Sequence, residues 1–117
     1  MNQQLPRTRR LTQKKEFDRV FTSGKRIAHQ GINAWVATGP NPRLGIALSR
    51  KYGNNVQRNL FKRRVRAAFR QLYQHLPSAD MVITCKARSS DIGYRDITGF
   101  FQNLINHDTT NNQKSDS

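Results

Sequence analysis

Cysteine, acidic side chains and long apolar runs are all scarce in this 117-residue chain, and each scarcity excludes a class of protein. The single cysteine, Cys85, rules out an internal disulfide and is typical of a reducing compartment, so we expect the chain in the cytoplasm. No apolar run approaches the ~20 residues that span a bilayer, and the first residues lack the apolar segment of a signal peptide. We therefore expect neither a membrane protein nor a secreted one.

Acidic residues are outnumbered three to one, because seven Asp and Glu stand against 21 Lys and Arg, for a formal net charge of +14. Such an excess of one sign repels itself in the folded state, and a polyanionic partner offsets that repulsion. Arginine outnumbers lysine about two to one, which favours bidentate contacts with phosphates and bases. Composition therefore predicts one small domain with a polyanionic partner.

The positions of the acidic residues argue against a protein nuclease. A metal-dependent nuclease needs paired carboxylates, and the seven acidic residues are scattered, with no such pair on a predicted strand. The three histidines, His29, His75 and His107, are far apart in the sequence, and no glycine-rich nucleotide loop is present. We predict no catalytic residue and no metal bound tightly by this chain.

Hydrophobic periodicity and turn residues predict the element order αβββαβα. A first helix, capped by Thr12, ends at Ser23-Gly24, and the other predicted elements are strands at 25–30, 32–38, 44–50 and 81–86 and helices at 56–75 and 94–106. This order is typical of an α+β fold, interpreted here as a two-layer α/β sandwich around one four-stranded, mostly antiparallel sheet. Residues 11–107 are predicted to form the domain, 1–10 a flexible basic arm and 108–117 a disordered polar tail.

The longest predicted helix separates its charges from its apolar residues. At ~100° per residue, one stripe is apolar and is expected in the core: Phe61, Val65, Ala68, Phe69 and Leu72. The adjoining arc is polar and basic: Asn59, Lys62, Arg63, Arg66 and Arg70. A helix charged for solubility mixes signs, but no acidic residue lies between Val56 and Gln74. The basic arc therefore predicts a surface that binds a polyanion, with Asn54 or Asn55 as the helix cap.

The stretch SRKYGNNVQRNLFKRRVRAAF resembles the signature of the protein subunit of bacterial ribonuclease P. In that family an Arg-Asn-Arg core follows a Gly-Asn loop and precedes a Lys-Arg pair on the same helix. Here the core is Arg58, Asn59 and Leu60, so a leucine stands where the family prefers a third polar residue, arginine. The Lys-Arg pair is present as Lys62 and Arg63.

The resemblance extends over about residues 9–106. The opening RLTQKKEFDRVFTSGKRIAHQG is similar to that of the family, with Phe17 and Phe21 at its two phenylalanines. Trp35 stands where the family places an aromatic residue on the second strand. The stretch MVITCKARSS resembles the fourth strand and the basic segment after it, which here carries Lys86 and Arg88.

Membership of this family implies a left-handed βαβ crossover and a role as protein cofactor of a ribonucleoprotein endonuclease. The protein is then a monomer within the complex, and the RNA, with Mg²⁺ that it binds itself, removes the 5′ leader of precursor tRNA. The resemblance assigns contacts with the catalytic RNA to the basic helix: Arg58, Asn59, Lys62, Arg63, Arg66 and Arg70. It assigns leader binding to a cleft between the first helix and the sheet: Phe17, Phe21, Trp35, Arg19, Arg50 and Lys51. Further basic contacts are expected from Arg9, Arg10, Lys86 and Arg88.

Other interpretations remain open at this point. A ribosomal or ribosome-associated RNA-binding protein has similar charge and fold, but is indifferent to a 5′ extension on tRNA. A DNA-binding regulator of the helix-turn-helix type needs a short helix before the reading helix, where this sequence predicts a strand. From spacing alone, Phe17 and Phe21 fit a packed core as well as an exposed groove.

Overall fold

The computed structural model describes residues 7–29, 31–85 and 91–116, and within them all side chains except those of residues 7, 52 and 107–116. The elements are α1 (Lys14–Ser23), β1 (Lys25–His29), β2 (Ile32–Thr38), β3 (Arg43–Ile46), α2 (Asn55–Leu72), β4 (Ala79–Cys85) and α3 (Tyr94–Asp116). The order αβββαβα and the α+β class are as predicted. No helix in the described residues is long and apolar enough to cross a bilayer.

The four strands form one sheet in the order β1-β2-β4-β3. The pairs β1–β2 and β2–β4 are antiparallel, so the sheet is mostly antiparallel, as predicted. The remaining pair, β3–β4, is parallel, with Arg43 opposite Asp80 and Ile46 opposite Ile83. Since parallel neighbours need a crossover connection, α2 provides the link between β3 and β4. Strand β3 therefore lies at one edge of the sheet.

The sheet separates two apolar cores, which corrects the two-layer prediction. Ile32 and Ala34 of β2 face a large core with α2 and α3 that contains Phe61, Phe69 and Phe100. The intervening positions of β2 and β4 face a smaller core with α1, formed by Leu11, Val20, Ala37 and Val82. Because β2 and β4 are apolar on both faces, helices must cover both. The arrangement is three layers, with α1 on one face and α2 and α3 on the other.

Reciprocal side-chain caps fix where α1 and α2 begin. Gln13, not the predicted Thr12, is the N-cap of α1, and its N–H donates to Glu16 Oε1 at 3.3 Å. Asn54 caps α2 by accepting the N–H of Gln57 at 2.9 Å, and its own N–H donates to Gln57 Oε1 at 2.9 Å. Gly53 precedes this cap with a φ of 152°, which glycine adopts without steric strain.

The structure describes part of each predicted terminal segment. In the predicted arm, Arg10 forms a parallel β-bridge with Leu44, and the N–H of Leu11 donates to the carbonyl of Leu44 at 2.9 Å. Residues 7–10 therefore lie against the edge strand, and residues 1–6 lie outside the described part of the chain. At the other end, α3 continues to Asp116 through the predicted polar tail. No proline or glycine follows Gly99, so no breaker ends the helix earlier.

Candidate nucleic-acid interface

The core stripe of α2 is confirmed, which leaves the basic arc facing outward. Phe61, Val65, Ala68 and Phe69 are fully buried, and Leu72 is half-buried at the edge of the core. Of the predicted RNA-binding residues, three are exposed: Asn59, Arg63 and Arg70. The other three are half-buried: Arg58, Lys62 and Arg66. Within the described residues no ion pair joins Lys62, Arg63 or Arg66 to a carboxylate.

Arg66 and Arg10 bring two guanidinium groups together at the margin of this arc. Burial lowers the pKa of Arg66, and the positive charge of Arg10 lowers it further. The Nε of Arg10 is buried without a hydrogen-bond partner among the described residues. Two neighbouring cations with an unused donor form a local excess of positive charge, which an anion relieves.

A cavity of about 210 Å³ lies beside the edge strand β3 and joins the two predicted sites. It is lined by residues of the N-terminal segment, α1, β3 and α2: Arg10, Leu11, Thr12, Phe17, Leu44, Gly45, Ile46, Lys62 and Arg66. Phe17 from the predicted leader cleft and Lys62 and Arg66 from the basic helix therefore share one space. The structure places them together because α1 and α2 cover opposite faces of the sheet and both reach its edge.

The ring of Phe17 lies over Gly45 on the edge strand. A Cβ placed on Gly45 comes within 2.8 Å of Phe17 Cε1 and Cζ, which is closer than packed atoms allow. The absence of a side chain at Gly45 is therefore what lets the ring pack against the strand. Phe17 remains half-buried, so part of the ring lies in the cavity.

Phe21 and Trp35 form an aromatic pair on the face of the sheet that α1 covers. Their ring centroids are 5.0 Å apart with an interplanar angle of 73°, an edge-to-face arrangement. Phe21 is 39% exposed and Trp35 is half-buried. Neither phenylalanine of α1 is fully buried: Phe17 packs against the smaller core and remains half-buried, and Phe21 is exposed.

The cations predicted for the leader cleft differ in their surroundings. Arg50 and Lys51 are exposed on a 3₁₀ turn after β3, Arg50–Tyr52, which Ser49 caps through the N–H of Lys51 at 3.2 Å. Arg19 instead donates to a carboxylate oxygen of Asp80 and so forms part of the protein's own ion-pair network. The Arg19 side chain is 44% exposed beside this ion pair, and its expected role as a leader contact stays a prediction.

The sequence did not predict this ion-pair network, because Asp80 is one of several acidic residues that are scattered along the chain. Asp80 is fully buried and accepts from Arg43 Nε at 2.7 Å and from Arg43 Nη2 at 2.8 Å. Arg43 Nη1 donates to Glu16 Oε2 at 3.0 Å, which ties β3 to α1. The available signal was an aspartate inside an otherwise apolar strand, since a buried carboxylate requires a cationic partner.

Of the further basic residues predicted to contact RNA, the structure describes Arg9 and Arg10 but not Lys86 and Arg88. The guanidinium of Arg9 lies 3.8 Å from the centroid of the Tyr73 ring, a cation–π contact. Lys86 and Arg88 lie outside the described residues. Within the described part of the chain, no cluster of three or more His, Cys, Asp or Glu side chains is placed to hold a metal ion.

Comparison with known proteins identifies the family of this chain. The family model described as Ribonuclease P matches residues 5–108. The chain belongs to the Ribonuclease P protein family. It is similar to the ribonuclease P protein component of Thioalkalivibrio sulfidiphilus, with 36% identity over 89 residues and coverage of 74% of each chain.

Solved structures of family members share the fold. The RNase P protein of Thermotoga maritima superposes with a TM-score of 0.72 at 26% identity, covering 82% of this chain and 94% of that one. An RNase P protein mutant of Staphylococcus aureus gives a TM-score of 0.76 at 23% identity, covering 87% of this chain and 89% of that one. The four-stranded sheet with its helices is thus the fold of this family.

Family membership assigns the general function. The chain is a protein cofactor of ribonuclease P in tRNA 5′ processing, a subunit of an endoribonuclease complex with ribonuclease P RNA as its partner. The ribosomal alternative is not favoured.

Proposed function

We propose that this chain holds two RNAs side by side: the ribonuclease P RNA on the basic arc of α2, and the single-stranded 5′ leader of precursor tRNA in the groove between α1 and the sheet. The observation that carries the proposal is the cavity at β3. Phe17 of α1 and Lys62 and Arg66 of α2 line it together, so the two binding surfaces meet at one strand.

The groove suits a leader of any sequence, because every base has a face that stacks on an aromatic ring. Phe17 and Trp35 are half-buried and Phe21 is 39% exposed, so the fold holds the rings while leaving part of each accessible. Arg50 and Lys51, exposed on the turn after β3, place positive charge for the phosphates of the leader. Stacking and charge together bind the strand without reading its sequence.

In this proposal the RNA and the Mg²⁺ ions bound to it carry out the hydrolysis, and the chain contributes binding and electrostatics. Glu16, Asp18 and Asp80 form ion pairs with lysine or arginine side chains, and Asp96 accepts the N–H of Gly93 at the start of α3. These carboxylates have structural partners. The cations of α2 lower the repulsion between two RNAs, which is greatest when Mg²⁺ and salt are low.

We also propose that one copy of the chain acts in each complex, in the cytoplasm. A net charge of +14 opposes close approach of two copies unless an anion lies between them. The mass of the reconstituted complex, measured by sedimentation velocity, distinguishes one copy from two.

Cleavage of a precursor tRNA at low Mg²⁺ tests the proposed division of labour. We expect cleavage when a bacterial ribonuclease P RNA and this protein are mixed, and little with either alone. Cleavage by the protein alone would show that the hydrolysis does not depend on the RNA. Activation that stays equal at low and high ionic strength would contradict the electrostatic role.

The leader groove is tested separately with Phe17→Ala in the reconstituted complex. We expect weaker binding of precursor tRNA, by roughly 10-fold for the loss of one stacked base. The matched control is the same tRNA without its leader, for which both proteins should bind alike. An equal loss of affinity for both substrates would place Phe17 outside leader binding.

A further inference from the structure

Tyr94, the first residue of α3, forms an exposed aromatic surface on the side of α2 away from β3. It is 39% exposed, and its hydroxyl hydrogen-bonds to the side chain of Gln71 on α2. Two open cavities, of about 190 and 450 Å³, lie against Tyr94. We call this surface the Tyr94 shelf, and define it by Leu60, Arg63, Arg64, Ala67, Gln71 and Tyr94.

Hydrogen bonds fix the shelf before any ligand arrives. Arg64 Nη1 donates to the carbonyl of Ile92 at 2.9 Å, which joins α2 to the segment before α3. The N–H of Gly93 donates to Asp96 Oδ2 at 2.9 Å, which caps the start of α3. The backbone just before Tyr94 is therefore held, and a ligand need not order it.

The chemistry of the shelf matches an unpaired nucleotide. Leu60, Ala67 and the tyrosine ring offer apolar contact, and Arg63 is exposed at the margin. The larger cavity adds the side-chain amides of Gln71 and Gln102 and the hydroxyl of Thr98, which can donate and accept hydrogen bonds. Among the side chains that the structure describes, no acidic one lines either cavity. A flat apolar surface with hydrogen-bonding groups and a guanidinium is how proteins bind a splayed-out base and its phosphate.

The neighbouring surface identifies which RNA reaches the shelf. Arg63 belongs both to the basic arc of α2 and to the smaller cavity, so the shelf continues the face proposed to dock the ribonuclease P RNA. The leader groove, by contrast, opens at β3 beside Lys62 and Arg66. Leu60 lines the smaller cavity of the shelf. A leucine at this position offers apolar contact to a base, whereas the arginine that the family prefers would add a charge.

We propose that the Tyr94 shelf binds one unpaired nucleotide of the ribonuclease P RNA, with its base stacked on the Tyr94 ring. The inference rests on the proposed docking of that RNA on α2. It adds a contact that depends on a base rather than on phosphate charge.

The test measures the affinity of the chain for ribonuclease P RNA at several salt concentrations. We expect Tyr94→Ala to bind roughly 5- to 150-fold more weakly, the range for loss of one stacked base, with an unchanged salt dependence. Tyr94→Phe keeps the ring and should bind within about 3-fold of wild type, since it loses only the bond to Gln71. Lys62→Ala is the matched control on the docking face, and should weaken binding while reducing the salt slope.

Chemical probing of the RNA identifies the ligand. We expect one unpaired base to be protected in the complex with wild type and Tyr94→Phe, and reactive with Tyr94→Ala. Wild-type affinity of Tyr94→Ala for the RNA would contradict the proposed binding at the shelf. If Lys62→Ala in the same series binds more weakly and with a reduced salt slope, the proposed docking on α2 would still hold. Weaker binding of Tyr94→Ala with no base changing its reactivity would also contradict binding at the shelf, because the ring would then act through something other than a nucleotide. If Lys62→Ala binds like wild type, the result would contradict the docking of the RNA on the basic arc, on which the shelf rests.

Discussion

Arg43 and Asp80 face each other across the parallel strands β3 and β4, and two hydrogen bonds of 2.7 and 2.8 Å join the guanidinium to the carboxylate. The same arginine reaches Glu16 on α1 at 3.0 Å, and Asp80 also accepts from Arg19 of that helix. One buried carboxylate therefore sets the position of α1 over the sheet. Because α1 carries Phe17 and Phe21, the network also sets the shape of the proposed leader groove.

Asp80→Asn is expected to lower the free energy of unfolding by about 3 kcal/mol, because it removes the buried anion that Arg43 and Arg19 share and leaves only Glu16 beside Arg43. The measurement is urea denaturation followed by circular dichroism. Asp18→Asn is the matched control, since its pair with Lys14 is exposed and is worth only ~0–1 kcal/mol. Equal effects of the two substitutions would show that the buried pair adds no more than a surface pair.

Glu16 should make stability depend on pH in the acidic range. Burial alone raises the pKa of Glu16, but hydrogen bonds from the backbone N–H groups of Gln13 and Thr12, together with the charge of Arg43, lower it below its ordinary value of 4.5. A carboxyl group with a lowered folded pKa contributes stability above its unfolded pKa and loses it as the pH falls through the folded value. Glu16→Gln should therefore be less stable than wild type at pH 7.

The two proteins should converge as the pH falls well below 4.5, because wild-type Glu16 is then protonated as well. Urea denaturation at a series of pH values gives the difference directly, and the contributions of other carboxyl groups cancel in it. A difference that stays constant with pH would mean that packing, rather than charge, accounts for the effect of Glu16.

Gly45→Ala should impair leader binding by moving the ring of Phe17, since the new Cβ lies 2.8 Å from Cε1 and Cζ of that ring. Overpacking of this kind typically lowers stability by about 1–3 kcal/mol. We expect roughly 10-fold weaker binding of precursor tRNA, and unchanged binding of tRNA without a leader. Gly99→Ala is the control, because its Cβ meets nothing within 4 Å and alanine favours the helix by about 0.5–1 kcal/mol. Similar leader binding by both variants would contradict the proposed role of Gly45.

Arg66→Gln should have opposite effects on the free protein and on its complex. Removing this partly buried cation relieves its desolvation and its repulsion with Arg10, so the free protein should become slightly more stable at low salt. The same change removes a proposed RNA contact, so affinity for ribonuclease P RNA should fall and its salt slope should decrease by about 1. Thermal unfolding at low and high salt, combined with RNA titration, measures both. A destabilised free protein would mean that packing of the Arg66 stem outweighs the repulsion.

The basic arc of α2 was readable from the sequence because helical periodicity is local. Phe61 and Val65 follow the 3.6-residue repeat into the core, so the positions of Lys62 and Arg66 on the outside follow from spacing alone. The boundaries of the elements were less accurate. Gln13 caps α1 only because Glu16 can bond back to it, and β3 ends at Ile46 where its pairing with β4 stops.

By itself the sequence determined the element order, the apolar stripe of α2, the one-signed charge of that helix and the family signature. These depend on residues within a few turns of one another. Only the tertiary structure decided that α1 covers the opposite face of the sheet from α2. It also decided that Phe17 lines one cavity with Lys62 and Arg66 at β3, and that Asp80 forms an ion pair with Arg19. Those relationships join residues far apart in the chain, and they arise because strands with two apolar faces need helices on both sides and a buried carboxylate needs a cation.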